Sequence, residues 1–492
     1  MQLNPRSRAR IRRLALASLL FLLAAPLASL ADDQRSTLER ALDRVLASKS
    51  LRGARVVALA EGADGRQLYA REPDRALIPA SNAKVLTTLA SMATFGPTHR
   101  FETLILADAP LDAEGAVQTL VLRGGGDPAV NSEDWWQIAD QLHRKGLRRV
   151  RGDLVLDDSL FDRERWHPSW GRTGARAYHA PVGALSANYG AFSVMLRPAS
   201  KVGQPIQVDV VPPVAHLAVV NRAKTEGARA RTRLSVDRRA GGETEVVLVS
   251  GAAGAGASPV SLYRSVLDPT RYAGSVLRWQ LEEQGIQIDG KVRIGEEPEA
   301  AEVLLSHKGR TLAEIVRLCM KYSNNQIAEA LLKQLAVHSG ERGSWVLGSA
   351  ELRRVVGELG VDPEGFSLVD GSGLSYQNKA TPRALVQALR AGEASFDFGP
   401  EWVASMPLAN LDGTLEDRAS GAAGAVRAKT GTLTRVTALS GYVRLANGER
   451  ARFSILVNGY RSSDRSAMNA VDAFVTALAT TPLDDSVAAY ER

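Results

Sequence analysis

The sequence predicts an α+β fold in which one antiparallel sheet, flanked by helices, is built from both ends of the chain. Two strand candidates near the amino terminus, Ala54–Leu59 and Gln67–Ala70, are joined by a Gly-rich hairpin segment over residues 62–65. Three successive strand candidates near the carboxyl terminus are Val426–Leu433, Thr437–Leu445 and Arg452–Val457. We expect these two groups to form one sheet, with the β-rich middle of the chain as a large insertion.

Helical periodicity predicts the elements that flank the sheet. Leu38, Leu42 and Leu46 share one face of an amphipathic helix over Thr37–Leu46, and Pro79 opens a second helix near Ser81. Later helices are predicted over Tyr272–Glu283, Leu312–Tyr322, Gln326–Leu335 and Ala467–Leu478. Strands of the insertion are predicted over Thr103–Leu106, Thr119–Arg123, Leu154–Leu156, Phe192–Leu196, Ile206–Val211 and Thr244–Val249, with a Gly-studded surface loop over Ser250–Ser258.

Composition indicates an exported globular protein. The 492 residues are 45% hydrophobic and 23% charged, which excludes a disordered chain. Five arginines before residue 14 precede the apolar run Leu14–Leu23, and Ser29-Leu30-Ala31 follows, which predicts a signal peptide over residues 1–31 and export to the periplasm. The run is too short for a transmembrane anchor, and Arg12-Arg13 leaves the export route open. Without residues 1–31 the chain is nearly neutral, which argues against a nucleic-acid partner.

Cysteine and histidine usage predicts neither a disulfide nor a metal site. Cys319 is the single cysteine and lies in an apolar helical pattern, so we expect a buried thiol. The seven histidines show no metal-ligand spacing, and we expect no metal and no cofactor.

The first candidate for chemistry is Ser81-Asn82-Ala83-Lys84. Serine and lysine three residues apart share a helix face, and the helix amino terminus favours negative charge on the serine oxygen. A lysine in an apolar environment loses proton affinity and can take the serine proton. Ser-x-x-Lys alone is common by chance in long proteins.

Two further segments have structural alternatives of their own. Ser323-Asn324-Asn325 separates two predicted helices and can project polar groups into a cleft, or can simply cap the second helix. Lys429-Thr430-Gly431-Thr432 lies on a predicted strand, where lysine and threonine can bind a carboxylate and glycine allows close approach of a substrate. The alternative is a solvated lysine at a sheet edge.

Together, in this order, the three segments resemble the Ser-x-x-Lys, Ser-x-Asn and Lys-Thr-Gly set of penicillin-recognising serine acyl-transferases. Ser323 follows Lys84 by 239 residues, and this long insertion makes the chain similar to D-alanyl-D-alanine carboxypeptidase/endopeptidases of the class-C low-molecular-mass penicillin-binding proteins. The resemblance implies a transpeptidase-like catalytic domain over residues 32–106 and 304–492. It implies an inserted domain II over 107–131 and 212–303, and a nested domain III over 132–211.

The resemblance also implies a mechanism and partners. Ser81 is expected to be the nucleophile and Lys84 its base, with Ser323, Asn325 and Lys429 as further catalytic residues. Expected substrate-binding residues are Thr430, Gly431 and Thr432. Expected partners are peptidoglycan stem peptides ending in D-Ala-D-Ala, D-Ala crosslinks, and β-lactams as covalent inhibitors. A β-lactamase and a non-catalytic wall-binding or β-lactam-sensing module are the alternatives, no membrane span is expected after signal cleavage, and oligomerisation stays open.

Overall fold

The computed structural model describes residues 36–296 and 301–484; the predicted signal peptide lies outside them. The described helices of seven or more residues are α1 (Thr37–Leu46), α2 (Ala83–Phe95), α3 (Ser132–Arg144), α4 (Pro269–Glu283), α5 (Leu312–Tyr322), α6 (Asn325–His338), α7 (Trp345–Glu358), α8 (Pro382–Ala394), α9 (Gly399–Ser405) and α10 (Asp464–Thr480).

The strands of the first half of the described chain are β1 (Arg55–Gly62), β2 (Gln67–Arg71), β3 (Arg100–Ala107), β4 (Ala116–Val117), β5 (Leu120–Arg123), β6 (Arg149–Val150), β7 (Leu154–Asp157), β8 (Ala191–Arg197), β9 (Gln207–Val211), β10 (Leu217–Asn221) and β11 (Lys224–Glu226). The later strands are β12 (Arg233–Gly241), β13 (Thr244–Gly254), β14 (Val260–Ser265), β15 (Gln287–Ile288), β16 (Val292–Ile294), β17 (Glu302–Thr311), β18 (Phe366–Ser367), β19 (Lys379–Ala380), β20 (Val426–Leu433), β21 (Val436–Arg444) and β22 (Arg450–Asn458).

The main sheet joins both ends of the chain, as predicted. Its order is β2-β1-β22-β21-β20, and every neighbouring pair is antiparallel. Seven of the eight residues of β1 are buried because helices cover both faces of the sheet. One face packs with α1 and α10 and the other with α2, α5, α6 and α8. The predicted α+β fold with an antiparallel sheet flanked by helices is confirmed.

The insertion contains its own sheets and its own apolar core. A five-stranded mixed sheet runs β16-β7-β5-β3-β17, and α3 and α4 contribute to the core beside it. Further along the chain, β14-β8-β9 form one sheet, and β10, β11 and β12 all pair with β13 in another. We propose, from these pairings, that the sheet of β3 and β17 belongs to the insertion rather than to the catalytic domain.

Two local predictions have different outcomes. The helix break at residues 323–325 is confirmed, since α5 ends at Tyr322 and α6 begins at Asn325. The surface loop expected over Ser250–Ser258 is wrong for its first half, because β13 continues to Gly254. Gly251 lies so close to β12 that an added Cβ would stand 1.8 Å from the Arg233 carbonyl oxygen, so this glycine serves strand pairing.

Within the described ranges, no helix is both long and apolar enough to cross a membrane.

Candidate active site

The first segment of the site is the turn that leads into α2. Residues Ala80–Asn82 form one turn of 3-10 helix before α2 begins. Ala80 has a φ of 47°, a left-handed conformation that is strained for a residue with a side chain. One turn later the side chain of Lys84 is fully buried, and its Nζ donates to Ser81 Oγ over 3.0 Å. The local spacing predicted from the sequence therefore produces direct contact between the two groups.

The Lys84 amine has two further acceptors that fix its orientation. It donates to Asn325 Oδ1 over 2.8 Å and to the Ser372 carbonyl oxygen over 2.7 Å. Neither of these oxygens carries a hydrogen, whereas the Ser81 hydroxyl does. When the amine is neutral, its lone pair can therefore accept a proton only from Ser81 among these three partners.

The second segment is the break between α5 and α6. Ser323 ends α5 in a left-handed conformation with a φ of 55°, and its Oγ accepts from Lys429 Nζ over 2.8 Å. The capping role that was the alternative for this segment belongs to Asn324, whose side chain accepts from the Ile327 N–H. Ser323 and Asn325 are thus free to contact the two lysines.

The third segment is β20, at the edge of the main sheet. Lys429 is fully buried and Thr430 nearly so, while Thr432 is exposed. The Thr430 hydroxyl donates to Thr414 Oγ1 over 2.8 Å. A Cβ on Gly431 would lie 2.7 Å from Asn82 Nδ2 and 2.8 Å from the Pro79 carbonyl oxygen. In this structure Gly431 is therefore needed for close contact between β20 and the turn that carries Ser81, a different reason from the close substrate approach expected from the sequence.

The three segments open onto one cleft of about 400 Å³, and the insertion forms part of its wall. Asn325 Nδ2 donates to the Tyr178 carbonyl oxygen over 2.9 Å, which ties the second segment to this wall. The lining comprises Ser81, Ser169, Trp170, Tyr178, His179, Ser323, Asn325, Leu374, Tyr376, Thr432, Leu433 and Thr434.

The D-Ala-D-Ala carboxypeptidase 3 (S13) family matches the chain over residues 38–481. The chain belongs to the S13 family. This confirms the resemblance to D-alanyl-D-alanine carboxypeptidases and the assignment to a family of serine peptidases.

Two relatives and one solved structure illustrate the similarity of this S13 chain to known proteins. The D-alanyl-D-alanine carboxypeptidase of Actinomadura sp. (strain R39) is 37% identical over 438 residues, which cover 85% of this chain and 80% of that protein. The carboxypeptidase DacB of Haemophilus influenzae is 26% identical over 398 residues, covering 79% and 82%. The crystal structure of penicillin binding protein 4 (dacB) from Haemophilus influenzae has a TM-score of 0.76 at 23% identity, covers 88% of this chain and 97% of that one, and so shows the fold.

Sequence reasoning missed Glu329, whose carboxylate lies behind Lys84 in this S13 chain. Glu329 on α6 accepts from the N–H groups of Gly371 and Ser372 over 2.9 and 2.8 Å. These two residues lie in one turn, and all three residues are buried. Asp370 in the same turn accepts from the N–H groups of Gly373 and Ser375. The turn thereby aims its Ser372 carbonyl at Lys84. A usable signal was present, because Glu329 is an acid within an otherwise apolar stretch of helix, Ile327–Leu332.

Burial and charge adjust the proton affinities of the site in this S13 chain. Burial lowers the pKa of Lys84 to about 8, while the charges of Glu329 and Asp370 act in the opposite direction. Burial, and then the charge of Asp370, raises the pKa of Glu329. Burial, followed by the positive charge of Lys84, lowers the pKa of Lys429 well below its usual range. A lysine base beside Ser81 is therefore available close to neutral pH.

The buried thiol expected at Cys319 is also present. Its side chain is fully buried, and burial raises its pKa to about 11, so the thiol is protonated at neutral pH. In the described residues, no group of three or more histidine, cysteine, aspartate or glutamate side chains is arranged to hold a metal ion.

Proposed function

We propose that this S13 chain is a serine DD-carboxypeptidase and DD-endopeptidase that forms an acyl-enzyme on Ser81. The observation that carries the proposal is the hydrogen bond of 3.0 Å between Ser81 Oγ and a fully buried lysine amine. The other two partners of that amine can only accept, so the amine is oriented to take one particular proton. A nucleophile activated by an adjacent base is what acyl transfer requires.

In the acylation step, Lys84 Nζ takes the hydroxyl proton of Ser81 while Oγ forms a bond to the carbonyl carbon of the penultimate D-alanine. The carbonyl oxygen becomes an oxyanion between the backbone N–H groups of Ser81 and Thr432, as in related enzymes. Removing one such donor typically costs about 3–4 kcal/mol of transition-state stabilisation. The side chain of Asn325 holds the amide carbonyl of the substrate.

The intermediate collapses when the bond to the leaving amine breaks. Lys84 gives the proton that it took to this amine, and we propose Ser323, which lines the same cleft as Ser81 and accepts from Lys429, as the relay between them. Free D-alanine leaves in the carboxypeptidase reaction, and the amine of a crosslinked stem peptide leaves in the endopeptidase reaction. Water then attacks the ester carbonyl while Lys84 takes one of its protons. The bond between the acyl carbon and Ser81 Oγ breaks, and Lys84 returns the proton to Oγ, which regenerates Ser81.

The substrate carboxylate is bound by threonine hydroxyls at the front of β20. Thr432 is exposed, and the Thr430 hydroxyl lies beside Thr414, whereas Lys429 is fully buried. We therefore assign Lys429 an indirect part, in which it orients Ser323 and becomes positively charged behind the threonines when the substrate carboxylate approaches. β-Lactams resemble the D-Ala-D-Ala end and are proposed to acylate Ser81. Because peptidoglycan lies outside the cytoplasmic membrane, we propose that the chain acts in the periplasm after export directed by residues 1–31.

The nucleophile is tested by intact-mass spectrometry after treatment with benzylpenicillin. The wild-type chain is expected to gain the mass of one penicilloyl group, and Ser81→Ala is expected to gain none. Ser420→Ala, a change at an exposed serine of the same domain, is the matched control and is expected to be acylated like the wild type. Full acylation of Ser81→Ala would overturn the assignment. Release of D-alanine from a pentapeptide, measured on the same samples, tests the peptidase activity separately.

A further inference from the structure

A second cavity adjoins the active-site cleft on the side of the insertion. It measures about 460 Å³ and shares Tyr178, Ser323 and Asn325 with the cleft. Its far wall is formed by residues at β8, β9 and β14, among them Phe192, Val211 and Tyr263, so it leads away from Ser81 into the insertion. We call it the tyrosine pocket, because Tyr178, Tyr189, Tyr263 and Tyr322 all line it.

The tyrosine pocket is neutral as well as aromatic. None of the described residues that line it carries a charge, and its polar side chains besides the tyrosines are serines and asparagines. Tyr178, Tyr263 and Tyr322 are 48%, 64% and 67% exposed, so their rings are accessible to a ligand. Large aromatic side chains are seldom left this exposed together without a binding role.

The tyrosine hydroxyls separate into two groups. Nine of the ten tyrosines lie in the described residues, and four of these donate hydrogen bonds within the protein, namely Tyr69, Tyr272, Tyr442 and Tyr460. The hydroxyls of the other five have no such bond within residues 36–296 and 301–484. All five of these line either the tyrosine pocket or the cleft: Tyr178, Tyr189, Tyr263, Tyr322 and Tyr376. The unpaired hydroxyls are thus concentrated where a ligand would supply their partners.

The backbone beneath Tyr189 is strained. Asn188, Tyr189 and Gly190 have successive φ values of 51°, 60° and 66°, and the first two residues carry side chains. Left-handed conformations are unfavourable for residues with side chains and persist where the surrounding structure requires them. The Asn188 side chain accepts from the Ser132 N–H over 2.9 Å and so holds the segment in place. In this backbone conformation Tyr189 forms part of the wall of the tyrosine pocket.

We propose that the tyrosine pocket binds an uncharged N-acetylated sugar ring of the glycan to which the stem peptide is attached. The inference rests on the proposed function, since it assigns a part of the same substrate to a neighbouring cavity. A pyranose ring offers an apolar face that stacks on aromatic rings, and hydroxyl and acetamido groups that pair with tyrosine, serine and asparagine. The charged groups of a stem peptide would lose hydration in the tyrosine pocket without gaining an ionic partner there. The enzyme therefore recognises the glycan as well as the peptide terminus.

The test compares two substrates that differ only in the sugar. D-alanine release is measured from a disaccharide-pentapeptide and from the same pentapeptide without sugar, using the full chain. We expect kcat/KM of the wild type to be about tenfold higher for the sugar-bearing substrate, through stacking and hydrogen bonds of the ring. Tyr322→Ala and Tyr263→Ala are expected to lose this advantage and to keep their activity on the free pentapeptide. Tyr322→Phe is expected to keep most of it, because the stacking face remains.

Phe396→Ala is the matched control, since Phe396 is 98% exposed and lines neither cavity. Acylation of each variant by benzylpenicillin shows that Ser81 and its surroundings are intact. Equal kcat/KM for both substrates in the wild type would overturn the inference, and so would an equal loss on both substrates in the alanine variants. Failure of the proposed function is distinct from these outcomes, because it would appear as no D-alanine release and no acylation in the wild type.

Discussion

Two lysines are fully buried in the same site, one on a helix and one on a strand, and the charges around them are opposite. Lys84 on α2 faces the carboxylates Glu329 and Asp370. Lys429 on β20 has Lys84 and Arg418 as its charged neighbours, apart from the thiol of Cys319. Burial lowers the pKa of both amines and the Cys319 thiol opposes this effect at both, but only at Lys84 do nearby carboxylates oppose it as well.

This difference explains how two lysines can serve different purposes at equal burial. Burial lowers the pKa of Lys84 to about 8 against the opposing effects of Cys319 and the two carboxylates, so the amine can exchange a proton within the physiological range. No carboxylate is among the charged groups that affect the pKa of Lys429 in the described residues, so a substrate carboxylate at β20 would raise this pKa. We infer that Lys84 is arranged for proton transfer and Lys429 for response to the substrate charge.

Among the variants considered, removal of Lys84 is expected to have the largest effect on acylation. In Lys84→Ala we expect acylation by a fluorescent penicillin to slow by about 10³-fold, since general base catalysis is lost. Stopped-flow fluorescence measures the rate, and thermal unfolding shows whether the variant is folded.

Lys333 supplies the matched control for this prediction. It is also fully buried, and its Nζ donates to Asp162 Oδ1 over 2.5 Å, away from Ser81. Lys333→Met is expected to lose about 1–3 kcal/mol of stability, because Asp162 and the Glu164 carbonyl oxygen lose their hydrogen-bond donor while Asp162 stays partly accessible to water. Its acylation rate per folded molecule is expected to stay close to that of the wild type. Normal acylation in Lys84→Ala would refute the role of the base.

Glu329→Gln tests whether the carboxylate charge near Lys84 raises the pKa of that lysine, because it removes this one charge. The acylation rate of the wild type should rise with pH through the Lys84 pKa of about 8, because the neutral amine is the active form. Without the carboxylate the protonated amine loses a stabilising charge, so its pKa falls and the acid limb moves to lower pH. The maximal rate should also fall about tenfold, since one glutamine oxygen replaces two carboxylate oxygens that bind Gly371 and Ser372. An unmoved acid limb in the pH–rate profile would contradict this account.

Gly431→Ala tests the contact between the strand and the turn that carries Ser81. The added Cβ would lie within 2.8 Å of Asn82 Nδ2 and the Pro79 carbonyl oxygen, so β20 and the turn must move apart. We expect a loss of about 1–3 kcal/mol of stability and slower acylation. Gly357→Ala on α7 is the control, because no neighbouring atom lies within 4 Å of its Cβ position. Denaturant unfolding that places both variants at equal stability would show that this contact does not matter.

Thr414→Val should have the smallest effect. It removes the hydrogen-bond partner of Thr430 and leaves the two lysines unchanged. A neutral hydrogen bond contributes about 0.5–1.5 kcal/mol, so we expect KM for a pentapeptide to rise about three- to tenfold with kcat nearly constant. Thr414→Ser retains the hydroxyl and should restore KM. Steady-state D-alanine release measures both constants, and a fall in kcat alone would exclude the assignment of Thr430 to carboxylate binding.

Elements with a strong local pattern were predictable to the residue. Helix α1 and strand β20 have the predicted bounds, Thr37–Leu46 and Val426–Leu433. In α1 a capping box from Ser36 to Glu39 reinforces the apolar face. The loop expected over Ser250–Ser258 was wrong up to Gly254, because glycine and alanine carry no periodic signal and pairing with β12 decides their conformation.

The candidate site likewise has contacts that the sequence predicted and contacts that it did not. The Ser81–Lys84 contact follows from helical spacing, and the resemblance to a known family joined it to Ser323 and Lys429. The carboxylate of Glu329 and the carbonyl of Ser372 were not predicted, since their contact joins residues far apart in the chain. The tyrosine pocket was not predicted either, because its walls come from separate elements of the insertion and from the Ser323–Asn325 segment.

The residues that can do chemistry, and those among them that share a helical turn, could be identified from the sequence, because backbone geometry sets contacts over three or four positions. The charges that surround each lysine depend on the three-dimensional packing of the chain. Proton affinity depends on burial and on charges a few ångströms away, and the packing of α2, α6, β20 and the turn at residues 370–375 brings those charges together from distant parts of the chain.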